Sequence, residues 1–290
     1  MSKHSSDKPT LLTRRQIQLR ALTLMVTGAV TVLSVLIPPA VSAQTTVNME
    51  RLVVAAMVDP PKSGTGITPG AGAHVESVER ALSAKGLLSS RYVDGHFGSS
   101  TISAYAQWQR NLGYSGLDAN GLPGPTSLRQ LGSGRFNVTR VINTGSRWES
   151  YGGKRVNTRT KRMLAAADAK VSWSLVLTQG SYTSSNPGSA GTHDGGGVVD
   201  ISVSGMSATQ RWKTVKALRD VGFAAWLRTP AQGFAYHIHA VAVADTDMSR
   251  TAQAQVHDYY FGRNGLRGHA GDNTPSSYRS SFTWWEQSRR

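Results

Sequence analysis

Cysteine is absent from all 290 residues. Disulfides, thiol catalysis and sulfur ligation are thereby excluded, and any metal on this chain must be held by His, Asp, Glu or water. Acidic side chains are also scarce: 17 Asp and Glu stand against 32 Lys and Arg, a formal net charge of +15. A surplus of that size draws a protein towards polyanions, which leaves nucleic acid, an anionic membrane and an anionic wall polymer as candidate partners.

The N-terminus discriminates among these. Residues 1–20 carry Lys3, Lys8, Arg14, Arg15 and Arg20 against Asp7 alone, and residues 21–43 carry no charge. The apolar stretch ends in Val41-Ser42-Ala43, small residues of the kind a signal peptidase reads. Residues 1–43 therefore read as a secretory signal, and Thr13-Arg14-Arg15 looks like a twin-arginine variant of one. The helix-breaking Pro38-Pro39 favours cleavage over a retained anchor, so no stable membrane span is expected afterwards. A secreted, basic chain meets the cell wall before nucleic acid, and no nucleic-acid motif is recognisable.

Residues 44–72 lack pattern and end in a Pro- and Gly-rich stretch, which predicts a linker. Residues 73–132 are denser. Val75, Val78 and Leu82 recur at helical spacing, as do Ile102, Tyr105 and Trp108, and then Leu128 and Leu131. The turns between them, DGHFG and NGLPG, each lead to a threonine (Thr101, Thr126), predicted as a helix N-cap. The repetition suggests a duplicated turn-helix unit. Residues 133–146 read as a second linker. In residues 147–262 we expect a helix at 157–170 with Arg159, Lys161 and Arg162 on a solvated face. Strands are expected at 174–178, 198–203, 223–227 and 238–243, and a further helix at 209–220. Strands and helices alternate without regular βαβ spacing, so the expected class is α+β. Residues 263–290 read as a polar tail.

Three of the eight histidines fall in two short motifs, His193-Asp-Gly-Gly-Gly-Val-Val-Asp200 and His237-Ile238-His239. Residues two apart on a strand face the same way. Asp200 sits among apolar strand neighbours, where a lone carboxylate is costly unless it has a partner such as a cation. Three glycines between His193 and Asp200 let the backbone curl so that both reach one ion. Two histidines and one carboxylate can hold zinc and leave a position open for water. The iron(II) oxygenase arrangement uses the same donors but usually places His and acid one residue apart. Tyr236, Trp226 and Trp212 read as core.

Residues 73–132 resemble the three-helix peptidoglycan-binding domain of secreted wall hydrolases. The likeness is carried by DGHFGSST, Trp108-Gln109, Gly113-Tyr114 and GLPGPTSLRQLG. The second domain is similar to the LAS-type zinc peptidases, and within them to the D-Ala-D-Ala carboxypeptidase/endopeptidase family. That family's frame is Ser-x-His-x-x-Gly-x-Ala-x-Asp with a later His-x-His. His193, Gly196 and Asp200 match, while Gly191 and Val198 stand where Ser and Ala are usual.

The resemblance implies a small three-helix bundle followed by an α+β zinc peptidase domain with a small antiparallel sheet. It implies Zn2+ on His193, Asp200 and His239, and His237 as the catalytic histidine. Two features depart from the family. Phe234, Ala235 and Tyr236 occupy the place of a catalytic glutamate found in some relatives. Thr178-Gln179-Gly180-Ser181-Tyr182 lacks the upstream arginine of many others, which leaves Gln179 as a neutral oxyanion donor. The expected function is a secreted zinc metallopeptidase hydrolysing peptide bonds of peptidoglycan at the cell wall, as carboxypeptidase or endopeptidase, with anionic wall polymers as further partners. The alternative is a non-catalytic wall-binding protein with a degenerate zinc domain.

Overall fold

The computed structural model describes residues 45–60, 66–184 and 187–290. The expected signal, residues 1–43, lies outside them. Residues 43–290 form one compact unit of mixed α+β structure. Among the described residues, no helix is long and apolar enough to cross a membrane.

The stretch predicted as a linker instead begins with strand β1 (Thr45–Asn48) and helix α1 (Met49–Val58). Asn48 caps α1, its side chain accepting from the Arg51 amide at 3.2 Å. Nine of the ten helix residues are buried. A helix apolar on all sides has no amphipathic period to detect, which is why its pattern reads as empty.

Three helices follow: α2 (Gly72–Ser83), α3 (Ser99–Asn111) and α4 (Pro125–Gly132). They bury the apolar positions read from the sequence, except that Trp108 is half-buried and donates its indole N–H to the Ser127 carbonyl at 3.0 Å. Neither threonine is an N-cap, because Gly98 and Gly124 hold those positions. Thr101 instead donates to buried Glu79 at 2.8 Å, and Glu79 also accepts from the Asp94 and Gly95 amides at 3.1 and 2.9 Å, tying the first turn to α2. The second turn is held by Gln109, which donates to the Leu122 carbonyl and accepts from the Gly121 amide.

The second predicted linker contains β2 (Phe136–Thr139), which pairs in parallel with β1. The hairpin of β3 (Glu149–Tyr151) and β4 (Lys154–Val156) then leads into α5 (Thr158–Asp168). Next come β5 (Leu177–Gln179), β6 (Val198–Ser202), α6 (Ala208–Asp220), β7 (Phe223–Arg228), β8 (His237–Ala242) and α7 (Arg250–Tyr260). Four strands form one antiparallel sheet in the order β5-β6-β8-β7. Val199, Ile201, Leu227 and Ile238 face a core shared with α5 and α6. Val198, Trp226 and Val241 face a second core, which runs through α7 and α1 to the three helices of residues 72–132.

Residues 263–290 are not a loose tail. They end in α8 (Trp285–Ser288), and just before it Trp284 is buried and donates to Glu50 on α1 at 2.6 Å. Arg159, predicted on a solvated face, is buried and paired with Glu286 at 2.8 Å. Both contacts join residues more than a hundred positions apart, beyond the reach of any local pattern.

Candidate metal centre

Strand register gathers the site. Asp200 on β6 lies opposite His239 on β8, which lies opposite Trp226 on β7; the adjacent row is Ser202, His237 and Arg228. Cross-strand partners share a face, so both histidines of the His-x-His motif project with Asp200. A register shift between Leu177 and Gln179 brings Gln179 into line with Asp200, the re-aiming that a bulge commonly performs beside a site.

His193 arrives from a single turn, Thr192–Asp194, entered through Gly191 with a left-handed φ of 75°. The glycines after it are required by close packing. A Cβ on Gly195 would stand 2.4 Å from the Asp247 carbonyl oxygen, and Gly197 has a φ of +79° against Asp245. The loop is thereby pressed onto residues 245–249, the same segment that Asn120 grips by donating to the Thr246 and Met248 carbonyls.

One ligand atom from each of His193, Asp200 and His239 lies within 4.8 Å of the others. His239 Nδ1 is 2.8 Å from Asp200 Oδ1, and His193 Nε2 is 3.4 Å from Asp200 Oδ2. The opposite ring nitrogens are also engaged: His193 Nδ1 donates to the Gly180 carbonyl at 2.8 Å, and His239 Nε2 to Gln255 Oε1 at 2.9 Å. The Gln255 amide is oriented by its own donation to the Gly265 carbonyl at 3.1 Å. Each imidazole therefore meets an acceptor at both nitrogens, although a neutral ring carries one N–H. A second proton or a metal cation resolves the conflict. Burial lowers the pKa of His239, even against the hydrogen bond to Asp200, and so disfavours the proton. For Asp200 burial acts to raise the pKa, but hydrogen bonds with His193 and His239 outweigh it and keep the carboxyl strongly acidic. The three residues can hold a metal ion, with outer partners fixing which nitrogen faces it.

The group opens into a cavity of about 670 Å³, whose other lining residues include Gln179, Phe234, Thr251 and Leu266. His237 also lines it, with Nδ1 2.8 Å from the Ala235 carbonyl and Nε2 3.8 Å from Asp200 Oδ1. Gln179 donates its amide to the Thr183 and Ser189 hydroxyls, both at 2.9 Å. Trp226 is buried and stacks on His239, with ring centroids 6.4 Å apart, whereas Tyr236 is half-exposed rather than core and lies under Arg211.

Two site residues were missed by sequence reasoning. Gln255 stands on α7, and nothing in its neighbourhood marks it as a partner of His239. Arg228 ends the apolar strand FAAWLR; an arginine there was a usable signal, but its place beside His237 follows only from the pairing of β7 with β8. No protein-family model matches the chain, nor does any curated protein or any solved structure.

Proposed function

We propose that the chain is a secreted zinc metallopeptidase that hydrolyses peptide bonds of peptidoglycan. The observation that carries this reading is the pair of histidines, each facing acceptors at both nitrogens, around one carboxylate in an open cavity. A set of two nitrogens and one oxygen with space beside it suits zinc in a hydrolytic site. His193 through Nε2, His239 through Nδ1 and the Asp200 carboxylate would hold the ion. When bound, zinc supplies Lewis acidity towards water and towards the scissile carbonyl.

His237 would manage the proton. Its Nδ1 is committed to the Ala235 carbonyl, which leaves Nε2 as the nitrogen that accepts and returns a proton beside the metal group. Phe234, edge-on to the His237 ring at 5.9 Å, limits how that ring can turn. The peptidoglycan substrate rests on the motif resemblances. On this reading residues 73–132 would hold the wall polymer, and the basic surface would favour anionic wall components.

The test is to incubate residues 44–290 with purified peptidoglycan, with and without a zinc chelator, and to read released peptides by mass spectrometry. Chelator-sensitive release is expected, and the fragment masses name the bond. No release from several wall types by zinc-loaded protein would overturn the enzyme reading in favour of a wall-binding protein.

A further inference from the structure

The two turns that the sequence repeats, Asp94-Gly-His-Phe-Gly98 and Asn120-Gly-Leu-Pro-Gly124, are built alike. In each, the first side chain accepts from the amide two residues on: Asp94 Oδ1 from His96 and Asn120 Oδ1 from Leu122, both at 2.9 Å. In each, the next residue is a glycine in the left-handed region, with φ +79° at Gly95 and +87° at Gly121. A turn of this kind needs only the acceptor oxygen, and aspartate and asparagine both supply it. The two positions differ in their surroundings. Asp94 is exposed, whereas Asn120 is buried. Asparagine also carries an amide nitrogen that the turn does not use. That nitrogen donates to the Thr246 and Met248 carbonyls at 2.9 and 3.1 Å. An aspartate at 120 would keep the turn, lose both bonds and set a carboxylate against two carbonyl oxygens.

The segment gripped in this way is the floor of the His193 loop. The Gly196 amide donates to the Asp247 carbonyl at 2.9 Å, and the Ser249 hydroxyl to the Thr192 carbonyl at 3.2 Å. The contact leaves no room for a side chain, since a Cβ on Gly195 would stand 2.6 Å from the Ser249 amide nitrogen. A second tie runs alongside. Arg147 donates to both Asp247 carboxylate oxygens, at 3.0 and 2.9 Å, and also to Asp118, two residues before Asn120. Asp247 accepts as well from the Tyr182 hydroxyl at 3.0 Å, and the Tyr182 amide donates to the Gly195 carbonyl at 3.0 Å. Asp200 and His239 stand on paired strands, but His193 stands on the turn Thr192–Asp194 outside the sheet. Its place is therefore set by how the loop packs, not by strand register.

We propose that Asn120 is a positioning residue for the metal group: through its amide, the helical unit of residues 72–132 sets where His193 stands. This rests on the reading of His193, Asp200 and His239 as metal ligands and not on the peptide substrate. The unit read as a wall anchor is then also scaffold for the metal site, and loosening its second turn costs metal affinity.

The experiment compares wild type, Asn120→Asp, Asn120→Ser and Asp94→Asn in residues 44–290. Zinc affinity is measured by chelator competition, and the visible absorption spectrum is recorded after loading with cobalt(II), which reports the number and arrangement of the ligands. Asn120→Ser keeps a short acceptor for the turn, cannot reach the two carbonyls and buries no charge, so it serves where Asn120→Asp fails to fold. Both Asn120 variants should bind zinc about 10–100-fold more weakly, the range typical of groups that orient a metal ligand, and should alter the cobalt spectrum. Asp94→Asn, the reverse exchange at the equivalent position of the first turn, should match the wild type in both. Unchanged affinity in Asn120→Ser overturns the proposal. Weaker binding with an unchanged cobalt spectrum also overturns it, because that marks a loss of stability alone. Absence of zinc and cobalt binding by the wild type would overturn the metal centre and this proposal with it. Neither readout depends on peptide release, so the peptidase reading can fail separately.

Discussion

His239 is constrained on three sides: Asp200 at one ring nitrogen, Gln255 at the other, and Trp226 across its face. Outer partners of this kind typically account for 10–100-fold in metal affinity. Gln255→Leu should therefore weaken zinc binding by about that factor in competition with a chromogenic chelator. Unchanged affinity would show that the ring is oriented without Gln255. His237 is expected to behave oppositely. His237→Ala should retain zinc and fold and lose peptide release, whereas a wall-binding protein without catalysis would lose nothing measurable. At this scale the motif residues were legible because two side-chain rules, the strand period and the intolerance of a lone buried carboxylate, act over a few positions. Arg228 and Gln255 were not, because their places follow from partners on other elements.

Among the elements, the first turn of the α2–α3 unit shows what a repeated motif conceals. Its threonine was expected to cap a helix, yet Gly98 holds that position and Thr101 serves Glu79. Burial pushes the Glu79 carboxyl up to about 7, against three hydrogen bonds that act to lower it. The unfolded chain releases this proton near the ordinary value of 4.5, so between about 4.5 and 7 the folded state holds a proton the unfolded state has lost. The contribution of Glu79 to stability is thus full below that window and falls as pH rises through it. Glu79→Gln removes the titration, so the difference in Tm between variant and wild type should shift in the variant's favour from pH 4.5 to 7.5. A difference independent of pH would place Glu79 at its ordinary acidity. Helices α5 and α6 and strands β6, β7 and β8 lie within two residues or so of their predicted bounds, as expected where apolar period and caps agree. Helix α1 was missed for the converse reason: buried all round, it presents no period.

For the molecule as a whole, one buried core runs from the helices of residues 72–132 through α1 and α7 to the site face of the sheet. Trp284 closes it by reaching Glu50, which Arg290 also contacts at 2.6 Å. Trp284→Ala leaves a cavity and removes one donor from a buried carboxylate, for an expected loss of about 3–5 kcal/mol. Denaturant unfolding of residues 44–290 should show that loss in a single transition. A separate transition for residues 73–132, unmoved by the substitution, would contradict the shared core. Local pattern was enough to identify the α+β class, the strands that carry the site and the His-Asp-His-His set, because strand period, glycine turns and charge burial act within a few residues of one another. Packing between distant segments assigned the rest. Residues 45–58 and 263–290 became structure rather than linker and tail, the second turn came to grip the segment that shapes the His193 loop, and Arg228 came to line the cavity. Each depends on pairings between residues far apart in the chain, whose burial and charge are settled only when the partner arrives.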